Sequence, residues 1–209
     1  MSEGLQPPVM ADHLDPIPIR LREDAGRPSA VLVGLMPCVD GWHVIMTERA
    51  HHLAHHAGQI SFPGGKVDAG DDNLVATALR EADEEVALPR GSVEVIGGLG
   101  TVMSPVGFVV QPVVGLIDPS VRLRAAPEEV AEVLLLPLAP LLDASRRHRR
   151  SYMREGRRRE VWVIEHGSHD IWGLSASILV DLADRVMADR VMSAMPNLGA
   201  GTNRQGGTG

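Results

Sequence analysis

Three glutamates at helical spacing are the residues of this chain whose types and positions are best suited to chemistry. Glu81, Glu84 and Glu85 occupy positions i, i+3 and i+4, so a helix places their carboxylates on one face. Like charges at this spacing destabilise an isolated helix by about 0.2–0.5 kcal/mol per pair. A bound divalent cation is the simplest counter-charge, and carboxylate oxygens are hard ligands suited to Mg²⁺ or Mn²⁺.

Two adjacent glycines precede these glutamates in the sequence. Gly64 and Gly65 follow Phe62-Pro63, and because they lack Cβ atoms they let the backbone approach a ligand closely. Arg80 stands four residues before Glu84 and can hold that carboxylate in place. An extended segment, a glycine turn and an acidic helix together predict a metal-dependent phosphate site.

Apolar runs on both sides of this motif predict the elements that position it. Residues 30–37 and 42–47 are two β-prone runs joined at Asp40-Gly41, a strong hairpin signal. The acidic helix is capped within residues 71–73 and ends before Pro89. Further strands are predicted at 93–103, 107–117, 133–136, 151–154, 160–165 and 170–172, and further helical segments at 127–132, 138–144 and 174–192. Strands interleaved with helices indicate an α/β fold, a mixed sheet between helical layers.

Composition and charge exclude several classes of protein. The net charge of -7 argues against broad binding to a nucleic acid, so we expect no nucleic acid partner. Residues 95–117 carry no charge, but Pro105 and Pro112 interrupt them, which favours buried strands over a membrane span. Cys38 is the only cysteine and no signal peptide is visible, so we expect a reducing, cytoplasmic location.

One globular domain is expected, spanning residues 29–192. Residues 1–28 are rich in proline and charge and are interpreted as an arm lying over that domain. Residues 193–209 are mostly polar residues and glycine, which bury too little surface to offset the entropy of ordering, so we expect a flexible tail. The sheet edges of such a domain make a homodimer one option.

The segment GGKVDAGDDNLVATALREADEEVAL, residues 64–88, resembles the signature of the Nudix hydrolases. These enzymes cleave diphosphate bonds that join a nucleoside moiety to another group, and the resemblance implies a Nudix-type mixed β-sheet sandwiched between helices. The family has a glycine at the position of Ala87, where it gives the helix a left-handed end. Alanine there costs about 1 kcal/mol unless the helix continues to Pro89 or Gly91.

The stretch between Gly65 and Arg80 is longer than the usual family spacing, and this longer form resembles the coenzyme A pyrophosphatase branch. An upstream pattern also resembles that branch, with Ala54 in place of its second arginine. The matching positions are Thr47, Arg49, Ala50, Gly58, Phe62, Pro63, Gly64 and Gly65. This branch implies hydrolysis of coenzyme A or its derivatives to 3',5'-ADP and 4'-phosphopantetheine or its acyl form.

The resemblance also implies roles for single residues. Glu81, Glu84 and Glu85 hold Mg²⁺ or Mn²⁺ in this interpretation, and Arg80 completes the catalytic set by orienting a carboxylate. The base that takes a proton from the attacking water is Glu81 or Glu129, the latter in a short helical segment. The expected substrate contacts are Arg49, His56, Gly64, Gly65 and Lys66. The substrate is then a small nucleoside diphosphate derivative, with coenzyme A favoured.

Two other functions fit the same residues. One is hydrolysis of a different nucleoside diphosphate derivative, such as ADP-ribose or a dinucleotide. The other is a Nudix-fold ligand-binding or regulatory protein without turnover; the intact glutamates speak against it, whereas Ala54 and Ala87 depart from the family pattern. The arginine-rich residues 146–159 are interpreted as a solvated loop and hairpin, with a contact to the 3'-phosphate of coenzyme A as the alternative.

Overall fold

Long apolar strands form the centre of the molecule in the computed structural model. It describes residues 13–21, 26–53, 57–154, 156–167 and 169–194, without the side chains of residues 169 and 187–194. β1 (Arg27–Cys38) lies between β2 (Gly41–Arg49), which is antiparallel to it, and β7 (Phe108–Ile117), which is parallel. The near-continuous apolar sequence of β1 and β7 suits strands that are covered on both faces.

Shorter strands complete an eight-stranded mixed sheet within the described residues. They are β3 (Ile60–Ser61), β4 (Gly64–Lys66), β5 (Val93–Gly98), β6 (Val102–Met103) and β8 (Val130–Pro137). The main path runs β3-β2-β1-β7-β5, while β4 pairs with β1, β6 with β7 and β8 with β2. The glycine turn predicted from the sequence is β4, so it lies directly beside the central strand.

A separate antiparallel sheet follows in the chain. Its strands are β9 (Arg147–Arg154), β10 (Arg157–His166) and β11 (His169–Trp172), in the order β11-β10-β9. Ile164 and Ile171 are fully buried in the larger apolar core, and Trp162 packs against that core. One face of this small sheet therefore contributes to the core of the domain.

Helices cover both faces of the main sheet. They are α1 (Leu74–Val86), α2 (Leu138–Leu141) and α3 (Leu174–Ala194). Alternate side chains of β1 point in opposite directions: Ala30 and Leu32 join the apolar cluster of α1, whereas Val31 and Val33 join that of α3. The predicted α/β fold, a mixed sheet between helices, is confirmed. Among the described residues no helix is both long and apolar enough to cross a membrane.

Two predicted elements differ from the structure. Residues 127–129 form a turn rather than a helix, and β8 begins at Val130 because this segment pairs with β2, with Glu132 opposite Glu48. The strand predicted over residues 93–103 is split into β5 and β6, and the register of β5 against β7 shifts between Val95 and Gly97. In both places tertiary pairing overrides the local pattern.

The described part of the predicted N-terminal arm contacts the domain. Asp15 exchanges two backbone hydrogen bonds with Gly98, at 2.9 and 2.8 Å. Arg185 of α3 binds the Asp15 carboxylate at 2.8 Å and the His13 carbonyl at 2.9 Å. The boundaries proposed for the arm and domain stay predictions, and residues 195–209 of the predicted tail lie outside the described residues.

Candidate active site

The start of α1 orients the acidic helix. Asn73 is the N-cap: its backbone is extended and its side-chain oxygen accepts a hydrogen bond from the Ala76 N–H at 2.9 Å. The apolar stripe of the helix, including Leu74, Ala78 and Ala82, is buried against the sheet. Because this stripe fixes the rotation of the helix, the acidic positions are presented to the glycine turn.

Arg80 is the centre of the hydrogen-bond network around the turn. Its guanidinium donates two bonds to Asp71, both 2.9 Å long, and single bonds of 3.0 Å to Glu81, Glu84 and the Lys66 carbonyl. The predicted contact of Arg80 with Glu84 is therefore present. The pairing holds the pKa of the Asp71 carboxyl well below its usual range and raises the pKa of Arg80. Arg80 stays charged and fixes the loop against the helix.

Glycine is required at both positions of the turn because other groups of the protein approach its backbone closely. Gly64 has φ 154°, and a Cβ there would collide with the Ala30 carbonyl of β1. A Cβ at Gly65 would lie only 2.5 Å from the carboxyl carbon of Glu81. The turn is thus pressed against β1 on one side and against the Glu81 carboxyl on the other, a contact that a larger residue would block.

Glu85 is a buried carboxyl at the end of α1. The residue is only 7% exposed. Its burial, together with the negative charges of Glu81 and Glu129, raises its pKa to about 8. The charge of Arg49 and a hydrogen bond from the Gly64 N–H act in the opposite direction. These effects require that the five residues lie near one another, although they come from four separate parts of the chain.

Glu81 also experiences competing effects. Burial raises its pKa, the hydrogen bond and charge of Arg80 lower it, and the charges of Glu84 and Glu129 raise it again, with a net increase. Its Oε1 is 3.0 Å from the Arg80 guanidinium. Burial therefore outweighs the effect of the arginine beside this carboxyl.

The chemistry of these donors fits a divalent cation. Glu81, Glu85 and Glu129 are close enough for their charges to interact, two of them are buried or half-buried, and their oxygens are hard ligands. Across the described residues, no three His, Cys, Asp or Glu side chains are already arranged as a set of metal ligands. Glu84 has a side chain that is 60% exposed and turned toward Arg80, so it lies at the margin of the cluster.

A loop after α1 brings Glu129 to the acidic face. The Arg124 and Ala126 N–H groups donate to the carbonyls of Val86 and Glu85, at 3.0 and 2.9 Å, and so satisfy the last turn of the helix. The Glu129 carbonyl accepts a bond from Ala50 at the end of β2. Glu129 is thus fixed between the helix end and β2, in a turn rather than in the predicted helix.

The structure places the predicted substrate contacts in three ways. Arg49, at the end of β2, acts on the pKa of Glu85 and so faces the acidic cluster. Lys66 is exposed, and its ammonium lies 5.7 Å from the ring of Phe108, which the Arg27 guanidinium also covers at 3.9 Å. His56, together with Ala54, lies outside the described residues.

Asp71 has a role that the sequence did not reveal. It was a candidate helix cap, yet it binds Arg80 through two bonds and also accepts a bond from Thr77 at 2.9 Å. Its side chain is only 4% exposed, so this pair is shielded from water. The available signal was the extra residue between Gly65 and Arg80, which gives the loop enough length to bring Asp71 back onto the helix.

Comparisons with known proteins give the family of this chain. The family model described as NUDIX domain matches residues 27–155. Two similar relatives, from Salmonella paratyphi B (strain ATCC BAA-1250 / SPB7) and Salmonella enteritidis PT4 (strain P125109), are each called "Uncharacterized Nudix hydrolase NudL". Each is 48% identical over 140 residues, which cover 67% of this chain and 73% of the relative.

A solved structure shows the same fold, and a second similar one is a complex with a ligand. A MutT/nudix family protein from Enterococcus faecalis superposes with a TM-score of 0.51 at 17% identity, covering 81% of this chain and 65% of that one. The NUDIX domain of Shewanella oneidensis NrtR, complexed with ADP ribose, has a TM-score of 0.47 at 23% identity, covering 59% and 82%.

The family match defines the class of protein to which this fold and this acidic helix belong. The chain belongs to the Nudix hydrolase family. Members of this family hydrolyse nucleoside diphosphate derivatives and generally use divalent metal ions.

Proposed function

We propose that this protein hydrolyses the diphosphate bond of coenzyme A or its derivatives, giving 3',5'-ADP and 4'-phosphopantetheine or its acyl form. The observation that carries the hydrolysis is the carboxyl cluster of Glu81, Glu85 and Glu129 beside the Gly64-Gly65 turn, with Arg49 facing it. The choice of coenzyme A is supported by the motif in the segment 47–65, which resembles that branch of the family.

Mg²⁺ or Mn²⁺ is the proposed metal, and Glu81, Glu84 and Glu85 are its proposed ligands. When bound, such an ion supplies positive charge for the diphosphate oxygens and lowers the pKa of a bound water. Two features of the chain support these ligands: Glu85 is buried among like charges, and Arg80 keeps Glu81 and Glu84 on the same side of the helix.

The remaining polar residues bind substrate and move a proton. Arg49 offers a guanidinium, which matches phosphate oxygens in two-point contact, and Lys66 offers an exposed ammonium next to the turn. Glu129 takes the proton of the attacking water in this proposal. It is preferred over Glu81 because Arg80 already engages an oxygen of Glu81, whereas Glu129 is exposed and reaches the cluster from the opposite loop.

A small molecule is the proposed partner, and a cytoplasmic location is proposed with it. The free thiol of Cys38 suits a reducing compartment, where the thiol of coenzyme A also stays reduced. The homodimer option stays a prediction.

Incubation with Mg²⁺ or Mn²⁺ and one of three substrates, followed by chromatography, tests the proposed reaction. Coenzyme A should release 3',5'-ADP, with much slower cleavage of ADP-ribose and diadenosine polyphosphate. Release of AMP from ADP-ribose without cleavage of coenzyme A would transfer the assignment to another diphosphate substrate. Binding of coenzyme A without any product would leave a ligand-binding protein.

A pair of neighbouring variants tests the base. Glu129→Gln should lower kcat about a hundredfold or more with little change in KM, since a positioned base contributes on that scale. Glu128→Gln is the matched control, because Glu128 is its exposed neighbour in the same turn. Equal kcat values for the two variants would return the role to Glu81.

A further inference from the structure

A cleft outside the acidic cluster lies between the two sheets. Its volume is about 820 Å³. One wall is formed by residues 102–106, which include β6 and the turn before β7, and the opposite wall is the sheet of β9, β10 and β11. Gly173 and Leu174, at the start of α3, close one end. The cleft is large enough for a nucleotide.

Strand pairing places the long side chains of Arg150, Tyr152 and Arg159 on one face of the small sheet. Directly paired residues of antiparallel strands share a face, and the pairs here are Arg150 with Val161 and Tyr152 with Arg159. All of these residues line the cleft. Arg158 occupies the opposite face of β10 and donates to Ser151 at 2.9 Å. Arg158 is not among the residues that line the cleft, whereas Arg159 is.

The cleft concentrates positive charge in an otherwise acidic chain. Eight of the 20 lysines and arginines fall within residues 146–159, although the net charge is -7. Arg147 and Arg150 have carboxylate partners, at 2.8 and 3.5 Å. Arg149 stacks on Trp162 at 3.9 Å, and neither Arg149 nor Arg159 forms an ion pair with any described residue. Guanidinium groups without a carboxylate partner, beside aromatic rings, are suited to a nucleotide, which offers both a phosphate and a planar base.

Contacts on two sides connect this cleft to the proposed active site. Arg80 binds the Lys66 carbonyl, the Lys66 ammonium lies 5.7 Å from the Phe108 ring, and the Phe108 N–H donates to Ser104 Oγ in the cleft wall at 2.9 Å. On the other side, Ser175 at the start of α3 donates to the Ile60 carbonyl in β3, the strand just before the glycine turn. The cleft and the glycine turn are therefore neighbouring parts of the domain.

We propose that this cleft binds the nucleoside end of the substrate and recognises a phosphate monoester on its ribose. Arg159 supplies a guanidinium group for that phosphate, and Tyr152, directly opposite Arg159 on the same face of the sheet, offers a ring to the base. The inference rests on the proposed function, since it assumes a diphosphate substrate whose nucleoside carries a second phosphate. It assigns the discrimination between 3'-phosphorylated and unphosphorylated nucleosides to β9 and β10.

Calorimetry with 3',5'-ADP and with AMP, in the absence of metal, tests the cleft without turnover. The unmodified protein should bind 3',5'-ADP about tenfold or more tightly than AMP, the scale expected for a charge-assisted contact. Arg159→Gln should remove most of that preference. Arg158→Gln, the adjacent arginine on the opposite face, should retain it. Equal affinities for the two nucleotides in the unmodified protein would overturn the proposal.

Steady-state kinetics with coenzyme A and 3'-dephospho-coenzyme A give the second readout. Arg159→Gln should raise KM for coenzyme A about tenfold at nearly constant kcat, with no change for the dephospho form. If neither compound is cleaved while the binding preference persists, the hydrolysis proposal fails and the cleft assignment is supported. If both are cleaved at equal KM and without a binding preference, the cleft assignment fails and hydrolysis stands.

Sedimentation analysis excludes another occupant of the cleft. A dimer that Arg159→Gln dissociates, with the ratio of KM values for the two coenzymes unchanged, would assign this face to a second copy of the chain and overturn the proposal. The same mass for both proteins, together with the altered ratio, supports the nucleoside site.

Discussion

The acidic helix α1 and the arginine-rich strands β9 and β10 carry opposite charges and hold them differently. Around α1 a single guanidinium, that of Arg80, binds Asp71, Glu81 and Glu84 at 2.9–3.0 Å. On β9 and β10 the arginines outnumber the available carboxylates, and Arg159 forms no ion pair with a described residue. One region is fixed by its own pairs, and the other presents cations to a cleft.

This difference matches two tasks of the proposed phosphate-binding site. Residues that must hold a reacting group within a fraction of an ångström need partners that fix their side chains. Residues that recognise a distant part of the substrate can stay exposed and form their ion pairs only with the ligand. The two regions follow this division, since Arg80 binds the Glu81 and Glu84 carboxyls, whereas Arg159 forms no ion pair with a described residue.

The largest effect is expected from removing the buried charge of the acidic region. Glu85→Gln should lower turnover about a hundredfold or more while the fold survives, because the amide replaces a proposed metal ligand with little change of shape. Initial rates over a range of Mg²⁺ concentrations measure this. Asp83→Asn is the matched control, as Asp83 is exposed on the same helix. An active Glu85→Gln variant with unchanged Mg²⁺ dependence would remove Glu85 from the metal ligands.

A smaller loss is expected from releasing Arg80. Asp71→Asn weakens the paired hydrogen bonds and should cost about 1–3 kcal/mol of stability and about tenfold in kcat, because Glu81 and Glu84 lose a fixed partner. Urea unfolding and kinetics measure the two effects. The Asp72→Asn variant changes the exposed neighbour of Asp71 and should lower neither stability nor kcat. Loss of stability at full kcat would limit Asp71 to a structural role.

Local spacing was enough to predict much of this acidic region. The i,i+4 relation of Arg80 and Glu84 is fixed by helix geometry alone, and the observed contact follows it. The pair of Arg80 with Asp71 depends on the path of a loop, which sequence spacing does not define. Likewise, Val130 begins a strand because β2 is available to pair with it, and that information lies eighty residues away in the chain.

The arginine region was harder to predict for the same reason. The composition of residues 146–159 is visible in the sequence and was interpreted as a solvated hairpin. The hairpin is present, but the cleft exists only because residues 102–106 approach it from another strand pair. The charge of a segment follows from its own sequence, whereas a cleft forms between elements that are distant in the chain. Only the charge of this segment could therefore be predicted from the sequence.

The pH dependence of stability should reveal the buried carboxyl of the acidic region. The pKa of Glu85 is raised to about 8 in the folded protein, above its ordinary value of 4.5, so folding favours the protonated carboxyl. Stability of the metal-free protein should therefore fall as the pH rises from about 4.5 to about 8, and thermal melts measure this. Added Mg²⁺ or Mn²⁺ should restore several degrees, mainly at the alkaline end. Glu85→Gln should show a flatter profile, and an unchanged profile would mean that Glu85 is ionised at no cost.

The smallest effect is expected at the end of α1. Ala87 has φ 54° and ψ 39°, which is a left-handed conformation, so the helix ends at Val86. The alternative of a helix that continues to Pro89 is therefore wrong. The Ala87 N–H donates to the Asp83 carbonyl at 3.0 Å, so the cap geometry of the family is kept by a strained alanine. Ala87→Gly should relieve that strain and stabilise the protein by up to about 1 kcal/mol, or roughly 2–4 °C in Tm. Ala76→Gly, in the first turn of the same helix, should instead destabilise by about as much, because a helical alanine has no strain to lose. If both variants lower Tm, the left-handed alanine is held without cost, and the departure from glycine has no energetic consequence for the acidic helix.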